Sequence, residues 1–407
     1  MPPRRPPPRL RPPRAEPAPA PPASAPAVDR HPISRRAASV EASGIRRMFE
    51  LVASMPDPIN LSIGQAHFDV PGPVKQAAVA AIESDFSRYT VTQGLPELNR
   101  GVLAKLAARE GPAADLSGAR SIITAGVSGG LMLGFMALLD PGDEVLVPDP
   151  YFTMYPVLAR MCSAVPVTYD LYPGRPLDEA ALEAAITPRT RLILVNSPSN
   201  PTGRTLGDGE LRAVGSVAEA HGLVVMSDEI YDEFVYDGPH VSAFGRVPAD
   251  RLMVLGGWSK TYGMPGWRLG WAVGPDEIVD AMRRMQQFSF VCAPSLVQKA
   301  GLAALDVDMS AEIADYRRKR DLLVAGLAGH YEIVPPGGSF YMFPRLPGDL
   351  DGDAFLKHAL QRHLLVVPGK TFSAHDTHFR LSFAADDRVL ERGIAALIDI
   401  AESVAGG

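Results

Sequence analysis

The sequence predicts an α/β protein: a large domain on a mostly parallel sheet between helices, then a smaller α+β domain. Three observations carry this expectation. Short Val/Ile/Leu runs without polar alternation recur between about residues 121 and 255, the pattern of strands buried on both faces. Helical stretches lie between them, as crossover connections of a parallel sheet require. After about Leu302 the rhythm changes to a charged helix followed by short strands. The chain of 407 residues also exceeds the size at which one hydrophobic core stops growing.

In chain order, Gly72–Ala81 opens with Pro73 and continues as a periodic apolar helix. Leu95–Arg109 repeats the pattern, with Pro96 and Glu97 in its first turn, where a proline and an acid suit a helix start. Strands are then expected at Ser121–Thr124, Glu144–Pro148, Ala164–Tyr169, Arg191–Asn196, Leu223–Asp228 and Arg251–Leu255. The apolar segment Leu131–Leu139 and the helix Glu210–Ala220 fall between them. A helix at Ser310–Ala328 precedes expected strands around Glu332–Val334, Ser339–Phe343, Leu364–Val367 and His378–Ser382. The expected domains are 73–305 and 306–407, the smaller one also taking in residues 31–72. Residues 1–30, dominated by Pro, Arg and Ala, bury too little apolar surface to offset their ordering entropy and are expected to be a disordered extension.

Composition excludes several functions. A net charge of −6 gives no electrostatic case for binding nucleic acid or an anionic membrane. The longest apolar stretch, Gly129–Leu139, is too short to span a bilayer. Cys162 and Cys292 have no metal-type spacing, so they are expected to be free thiols in a reducing, cytoplasmic setting, with no metal site. Only seven of the 40 basic residues are lysines (Lys75, Lys105, Lys260, Lys299, Lys319, Lys357 and Lys370), so few compete for any lysine chemistry.

Open α/β sheets bind ligands beyond the carboxyl ends of their strands, so the polar residues after each strand are the candidates. Gly126-Val127-Ser128 follows the first strand and leads into a helix, where backbone N–H groups and a hydroxyl can hold an anion. The same residues spell G-x-S-x-G, the setting of a hydrolase nucleophile, with Ser128 as that serine. Phe152 follows the second strand and can stack on a flat ligand. Asn200 sits in a polar turn rich in Pro and Gly. Asp228 ends a buried strand and needs a cation or donor partner, and Tyr231 would project beside it if the chain turns helical there. Ser259-Lys260 follows the last strand among glycines and aromatics. Burial and a nearby cation can make that lysine a nucleophile. Arg268 supplies such a cation eight residues later.

Taken together, these sites resemble those of the class I/II aminotransferases of the fold-type-I pyridoxal-phosphate superfamily, over about Ile59 to Phe383. The matching motifs are Leu61-Ser-Ile-Gly64, Tyr89-Thr-Val-Thr-Gln-Gly-Leu-Pro-Glu-Leu98, Asn200-Pro-Thr-Gly203, Ser227-Asp-Glu-Ile-Tyr231, Ser259-Lys260, Trp267-Arg-Leu-Gly270 and Phe379-Arg-Leu-Ser382. The resemblance implies a seven-stranded type of sheet and pyridoxal 5′-phosphate as cofactor. It makes Lys260 the Schiff-base lysine, with Asp228 on the pyridine nitrogen and Asn200 and Tyr231 on the phenolic oxygen. Phe152 would stack on the ring. Gly126, Val127, Ser128, Ser259 and Arg268 would hold the phosphate, together with Tyr89 from a partner subunit of a homodimer with shared active sites. Arg380 would grip the substrate α-carboxylate, helped by Asn200 and the backbone at Gly64. The implied substrates are an amino acid and a 2-oxo acid. Two departures stand out: Gly257 where many members have a serine, and Phe152 where tryptophan is common.

The nearest alternative in the same superfamily is a lyase, cyclase or biosynthetic synthase, and a remoter one is a serine hydrolase using Ser128. The side-chain preference is not legible, although Gln65, His67 and Phe68 follow Gly64 closely enough to be candidates for that pocket.

Overall fold

Alternate side chains of the central strands enter different cores. In the computed structural model, Leu192 and Leu194 pack into one apolar cluster, while Ile193 and Val195 pack into the other. A strand with a core on each face has no polar side, which explains the uninterrupted apolar runs. The structure describes residues 32–38, 40, 55–111, 116 and 118–406. The extension expected at residues 1–30 lies outside the described residues.

Twelve strands occur among the described residues. They are β1 (Ile59–Asn60), β2 (Ala119–Thr124), β3 (Glu144–Asp149), β4 (Val165–Asp170), β5 (Thr190–Asn196), β6 (Val224–Asp228), β7 (Leu252–Gly257), β8 (Gly270–Pro275), β9 (Tyr341–Met342), β10 (Leu364–Leu365), β11 (Val367–Pro368) and β12 (Phe379–Ser382). Seven form one sheet in the order β2-β8-β7-β6-β5-β3-β4. The pairings among β3 to β7 are parallel, and only β8 runs antiparallel to its neighbours β7 and β2. The fold is therefore the expected α/β class with a mostly parallel sheet. The sequence reading missed β8, whose Gly270 and Gly274 break up its short apolar run.

The helix Pro96–Glu110 starts with proline at its first position and stops at Gly111, whose positive φ of 66° favours glycine. The helix Gly126–Leu138 follows β2 directly, buried against β7 and β8. Near the C-terminus, β11, β12 and β9 form an antiparallel sheet, and β10 pairs in parallel with β1, bringing Ile59 opposite Leu364. The expected strand at Glu332–Val334 does not form. Pro335 and Pro336 follow it and have no N–H to continue a ladder. The helix at Ser310 ends at Leu327 and packs on the last helix, Asp387–Ala405.

One glycine tests how tightly these layers meet. Gly215 lies in the helix Asp208–His221, where a Cβ would sit 2.2 Å from the backbone oxygen of Arg246. Alanine would gain up to about 1 kcal/mol of helix propensity, whereas overpacking against backbone costs about 1–3 kcal/mol. Gly215→Ala should therefore destabilise the protein, seen as a lower denaturant midpoint at unchanged m-value. A midpoint that rises would mean that the loop at Arg246 yields freely.

Candidate active site

The carboxyl ends of β2, β3, β5, β6 and β7 lie along one edge of the sheet, and the amino end of the reversed strand β8 joins them there. A cavity of about 270 Å³ opens at this edge. It is lined by Ile63, Gly64, Gln65, Val127, Ser128, Leu131, Phe152, Tyr155, Asn196, Asn200, Asp228, Ile230, Tyr231, Ser259, Lys260, Pro265, Arg268, Tyr341 and Arg380. Residues expected from separate strand ends thus meet in one place. Two expected site residues do not line it. Gly126 lies behind the wall, against Arg268, and Tyr89 is exposed elsewhere on the surface.

Asp228 is 3% exposed at the end of β6. Tyr155 Oη donates to its Oδ2 at 2.8 Å, and the backbone N–H of Ile230 donates to Oδ1 at 3.2 Å. Burial pushes this carboxyl up to about 6, against the lowering effect of those two donors and of Lys260. Asn196 ties the strand ends together: its amide nitrogen donates to the Asp228 carbonyl at 2.9 Å, and its Oδ1 accepts the N–H of Asn200 at 2.9 Å. Tyr231 follows Asp228 in a turn rather than the helix anticipated, yet it still faces the cavity. Its Oη donates to Tyr341 Oη at 3.1 Å.

Lys260 Nζ donates to the Gly64 carbonyl at 2.6 Å and stands 5.5 Å from the centre of the Tyr231 ring. Burial lowers the affinity of this amine for its proton. Arg380 and Arg268 push the same way, while Tyr341 and Asp228 oppose them. Gly64 must be a glycine here, because a Cβ would sit 2.1 Å from Tyr341 Oη. Arg380 is 1% exposed. Its Nη1 donates to Asn200 Oδ1 at 2.9 Å and its Nη2 to the Ser62 carbonyl at 2.8 Å. The rings of Tyr341 and Phe372 lie 4.4 and 4.6 Å from its guanidinium carbon. Its Nε is buried with no hydrogen-bond partner among the described residues.

Val127 and Ser128, at the start of the helix Gly126–Leu138, line the cavity together with Arg268. Gly126 has a φ of 72°, and a Cβ there would meet the Arg268 guanidinium at 2.5 Å. Glycine thus lets the guanidinium lie directly on the helix start. Arg268 Nη1 donates to the Pro265 carbonyl at 2.8 Å and Nη2 to the Ala125 carbonyl at 3.3 Å.

Of the segment after Gly64, Gln65 lines the cavity, but His67 and Phe68 do not. His67 Nδ1 lies 2.8 Å from Tyr316 Oη, and its Nε2 lies 2.6 Å from Lys319 Nζ. Phe68 packs edge-on to Tyr316. The sequence reading missed Tyr155, Asn196 and Tyr341. Tyr155 stands three residues after Phe152, a spacing that places both on one side of a turn. Tyr341 carries no signal, since it arrives from the far end of the chain.

Ser128 shares the cavity with Lys260, and no histidine lines it among the described residues. Lys260 donates to the Gly64 carbonyl, and no hydrogen bond joins it to Ser128 among the described residues, so the serine lacks the activating base a hydrolase needs.

Residues 56–397 match the family described as aminotransferase class I and II. The chain belongs to the class I and II aminotransferase family. It is 33% identical over 377 residues to a probable aspartate aminotransferase of Methanocaldococcus jannaschii, covering 90% of this chain and 99% of that protein. It is 34% identical to the aspartate/prephenate aminotransferase of Thermus thermophilus, covering 86% of this chain and 92% of that protein. Among solved structures it is similar to the aspartate aminotransferase of Rhizobium meliloti, with a TM-score of 0.84 and 32% identity over 91% of this chain and 98% of that one. The Thermus thermophilus aspartate aminotransferase solved with maleate gives a TM-score of 0.83 and 33% identity over 91% of this chain and 100% of that one. The protein is an aminotransferase, and the lyase, cyclase and synthase alternatives are not favoured.

The raised Asp228 carboxyl carries a sign. Its folded value, about 6, exceeds the ordinary 3.8, so its contribution to stability is complete below about pH 4 and is lost as pH rises through 6. In the ligand-free protein, Asp228→Asn should remove a pH-dependent loss of about 2–3 kcal/mol over that window. Unfolding by denaturant across a pH series checks it; parallel profiles for the two proteins would refute the assignment. Tyr155→Phe should move the same loss to higher pH.

Proposed function

We propose that the cavity binds pyridoxal 5′-phosphate and that the protein exchanges the amino group between an L-amino acid and a 2-oxo acid. One observation carries the reading: a buried amine of lowered proton affinity, Lys260, shares a cavity with a buried carboxyl, Asp228. The donor set fits the cofactor group by group. The helix start at Gly126, the backbone of Val127, the hydroxyls of Ser128 and Ser259, and Arg268 suit a phosphate. Phe152 suits the face of a ring, Tyr231 and Asn200 suit a phenolic oxygen, and Asp228 suits a protonated ring nitrogen. Arg380, with a buried Nε still to be paired, suits a carboxylate.

Pyridoxal phosphate, when bound, supplies an aldehyde carbon for amines and a ring that accepts electrons from the substrate Cα. The protein's own residues do the rest. Lys260 would hold the cofactor covalently through its amine, and its Nζ, when not so engaged, would stand as a free base beside the substrate Cα. It takes the proton from the substrate Cα as base and then releases it as acid. The Gly64 carbonyl accepts from Nζ and aims it. Asp228, as a carboxylate, keeps the ring nitrogen protonated, with Tyr155 holding Oδ2. Arg380 fixes the α-carboxylate and so orients the Cα–H bond.

The same reading extends to assembly. Tyr89, 82% exposed and away from its own chain's cavity, suits a phosphate contact across a homodimer. The division into a large domain (73–305) and a small one (306–407 with 31–72) is supported by the pairing of β1 with β10. Free Cys162 and Cys292 suit a reducing cytoplasm.

Lys260→Ala should lose both turnover and the visible absorbance of bound cofactor. Full activity in that variant would end this reading. Arg380→Ala removes a buried charge partner for the carboxylate, a change that costs about 2–5 kcal/mol. Its kcat/KM should fall roughly 30- to 5000-fold, with the visible spectrum retained. Unchanged steady-state constants would remove Arg380 from substrate binding.

A further inference from the structure

Residues 61–71 form neither helix nor strand, so no ladder fixes the direction of their carbonyls. Yet one of these, the Gly64 carbonyl, accepts from Lys260 Nζ at 2.6 Å. Gly64 lies between two tethered points. Upstream, the Ser62 carbonyl accepts from Arg380 Nη2 at 2.8 Å, and the Ser62 N–H donates to Asn60 Oδ1 at 3.1 Å. Downstream, His67 is tied to Tyr316, a fully buried residue of the helix Ser310–Leu327. The His67 backbone N–H donates to Tyr316 Oη at 3.0 Å, and Nδ1 lies 2.8 Å from the same oxygen.

The other ring nitrogen decides which way that second bond runs. Nε2 stands 2.6 Å from the Nζ of Lys319, a residue of the same helix that is 2% exposed. An ammonium paired with Asp315 at 3.0 Å has only donors to offer. Nε2 therefore accepts, and the ring proton sits on Nδ1, aimed at Tyr316. Three polar side chains with no part in the chemistry proposed above thus converge three residues from the carbonyl that holds Lys260.

We infer that His67 is a positioning residue for Lys260: with its tautomer set by Lys319, it anchors the Gly64 segment to Tyr316 and so directs the Gly64 carbonyl at the amine. The catalytic consequence rests on the proposed function, whereas the contact itself does not. A proton-transferring group misplaced by about 1 Å loses on the order of a hundredfold in rate, so an anchor this close to Gly64 bears on turnover.

The test uses two amides that each imitate one ring nitrogen. In His67→Asn the amide N–H takes the place of Nδ1–H and still donates to Tyr316. In His67→Gln the amide oxygen takes the place of Nε2 and accepts from Lys319, while the side-chain bond to Tyr316 is lost. Tyr316→Phe removes the acceptor of both His67 bonds. The first measurement needs neither cofactor nor substrate: acetylation of Lys260 by acetic anhydride in the cofactor-free protein, followed by mass spectrometry against the exposed Lys75. Losing the Gly64 acceptor frees the amine. Lys260 should then react about three- to tenfold faster in His67→Gln and Tyr316→Phe, and at the wild-type rate in His67→Asn. The second uses protein loaded with pyridoxal phosphate and whichever of the twenty protein amino acids converts it fastest, carrying hydrogen or deuterium at Cα. The saturated rate should fall about tenfold in the same two variants, at an unchanged dissociation constant and with an isotope effect no smaller than in the wild type. Asn and Gln variants that behave alike in either measurement overturn the inference, as does a rate loss that carries no isotope effect. A purely structural contact gives that result, lowering the denaturant midpoint in both variants without separating their rates. Conversion by none of the amino acids brings down the proposed function, and the acetylation pattern still decides whether His67 positions Lys260.

Discussion

Asp228 ends β6 with its carboxyl in the protein interior, where an unpaired charge costs several kcal/mol, and its neighbours are placed to meet that cost. Tyr155 and the backbone of Ile230 donate to the two carboxyl oxygens, and Lys260 lends a positive field from the next strand end. None of these fully offsets desolvation, since the carboxyl still titrates near 6. A ligand that brings a proton-bearing nitrogen to Oδ1 or Oδ2 therefore relieves a strain the fold already carries. The sheet enforces this position: a strand buried on both faces cannot turn its last residue to solvent without unpacking Met226 or Val225.

A second set of contacts joins segments that are distant in sequence. Arg380 on β12 holds Asn200 and Ser62, Lys260 holds Gly64, and Tyr231 holds Tyr341. Three of these contacts cross from the strand ends of the large sheet to the segment around Gly64 or to the C-terminal sheet, and the Arg380–Ser62 bond joins those two. Arg380 and the Lys260 amine thus cannot move independently of Asn200 and Gly64. Arg268 adds a local constraint. It adopts φ 56°, a conformation that costs a residue with a Cβ about 1–2 kcal/mol, and it is held by the Pro265 and Ala125 carbonyls.

Much of this was legible in the sequence because the chemistry of a parallel sheet is written at its strand ends. Phe152, Asn200, Asp228, Tyr231, Lys260 and Arg268 each follow a strand, or precede the reversed one, within a few residues, so locating the strands located them. β8 was missed because its glycines erase the apolar pattern, although those same glycines let it pass close to its neighbours. Glu332–Val334 read as a strand by composition, and Pro335 and Pro336 overrode it. Tyr341 and Gly64 were not legible as a pair, since their contact is purely tertiary. The resemblance singled out the Gly64 backbone, but not that the Tyr341 hydroxyl occupies the space of its Cβ.

That tertiary pair also explains why the Gly64 segment is harder to read than the strand ends. Asp228 and Lys260 stand at or just past strand ends whose spacing the sheet fixes at about 4.8 Å per strand, so the sheet itself sets how they face one another. The segment Ile63-Gly64-Gln65 is different: it is positioned by Tyr341, by Lys260 and, two residues on, by the His67–Tyr316 contact. Lys319 has only protons to give, so His67 Nε2 accepts from it, and Nδ1–H then donates to Tyr316 Oη. Burial and the ammonium beside it lower the imidazole's affinity for a proton, against the pull of Asp315. Lys319 is thereby committed to His67 and, at 3.0 Å, to Asp315.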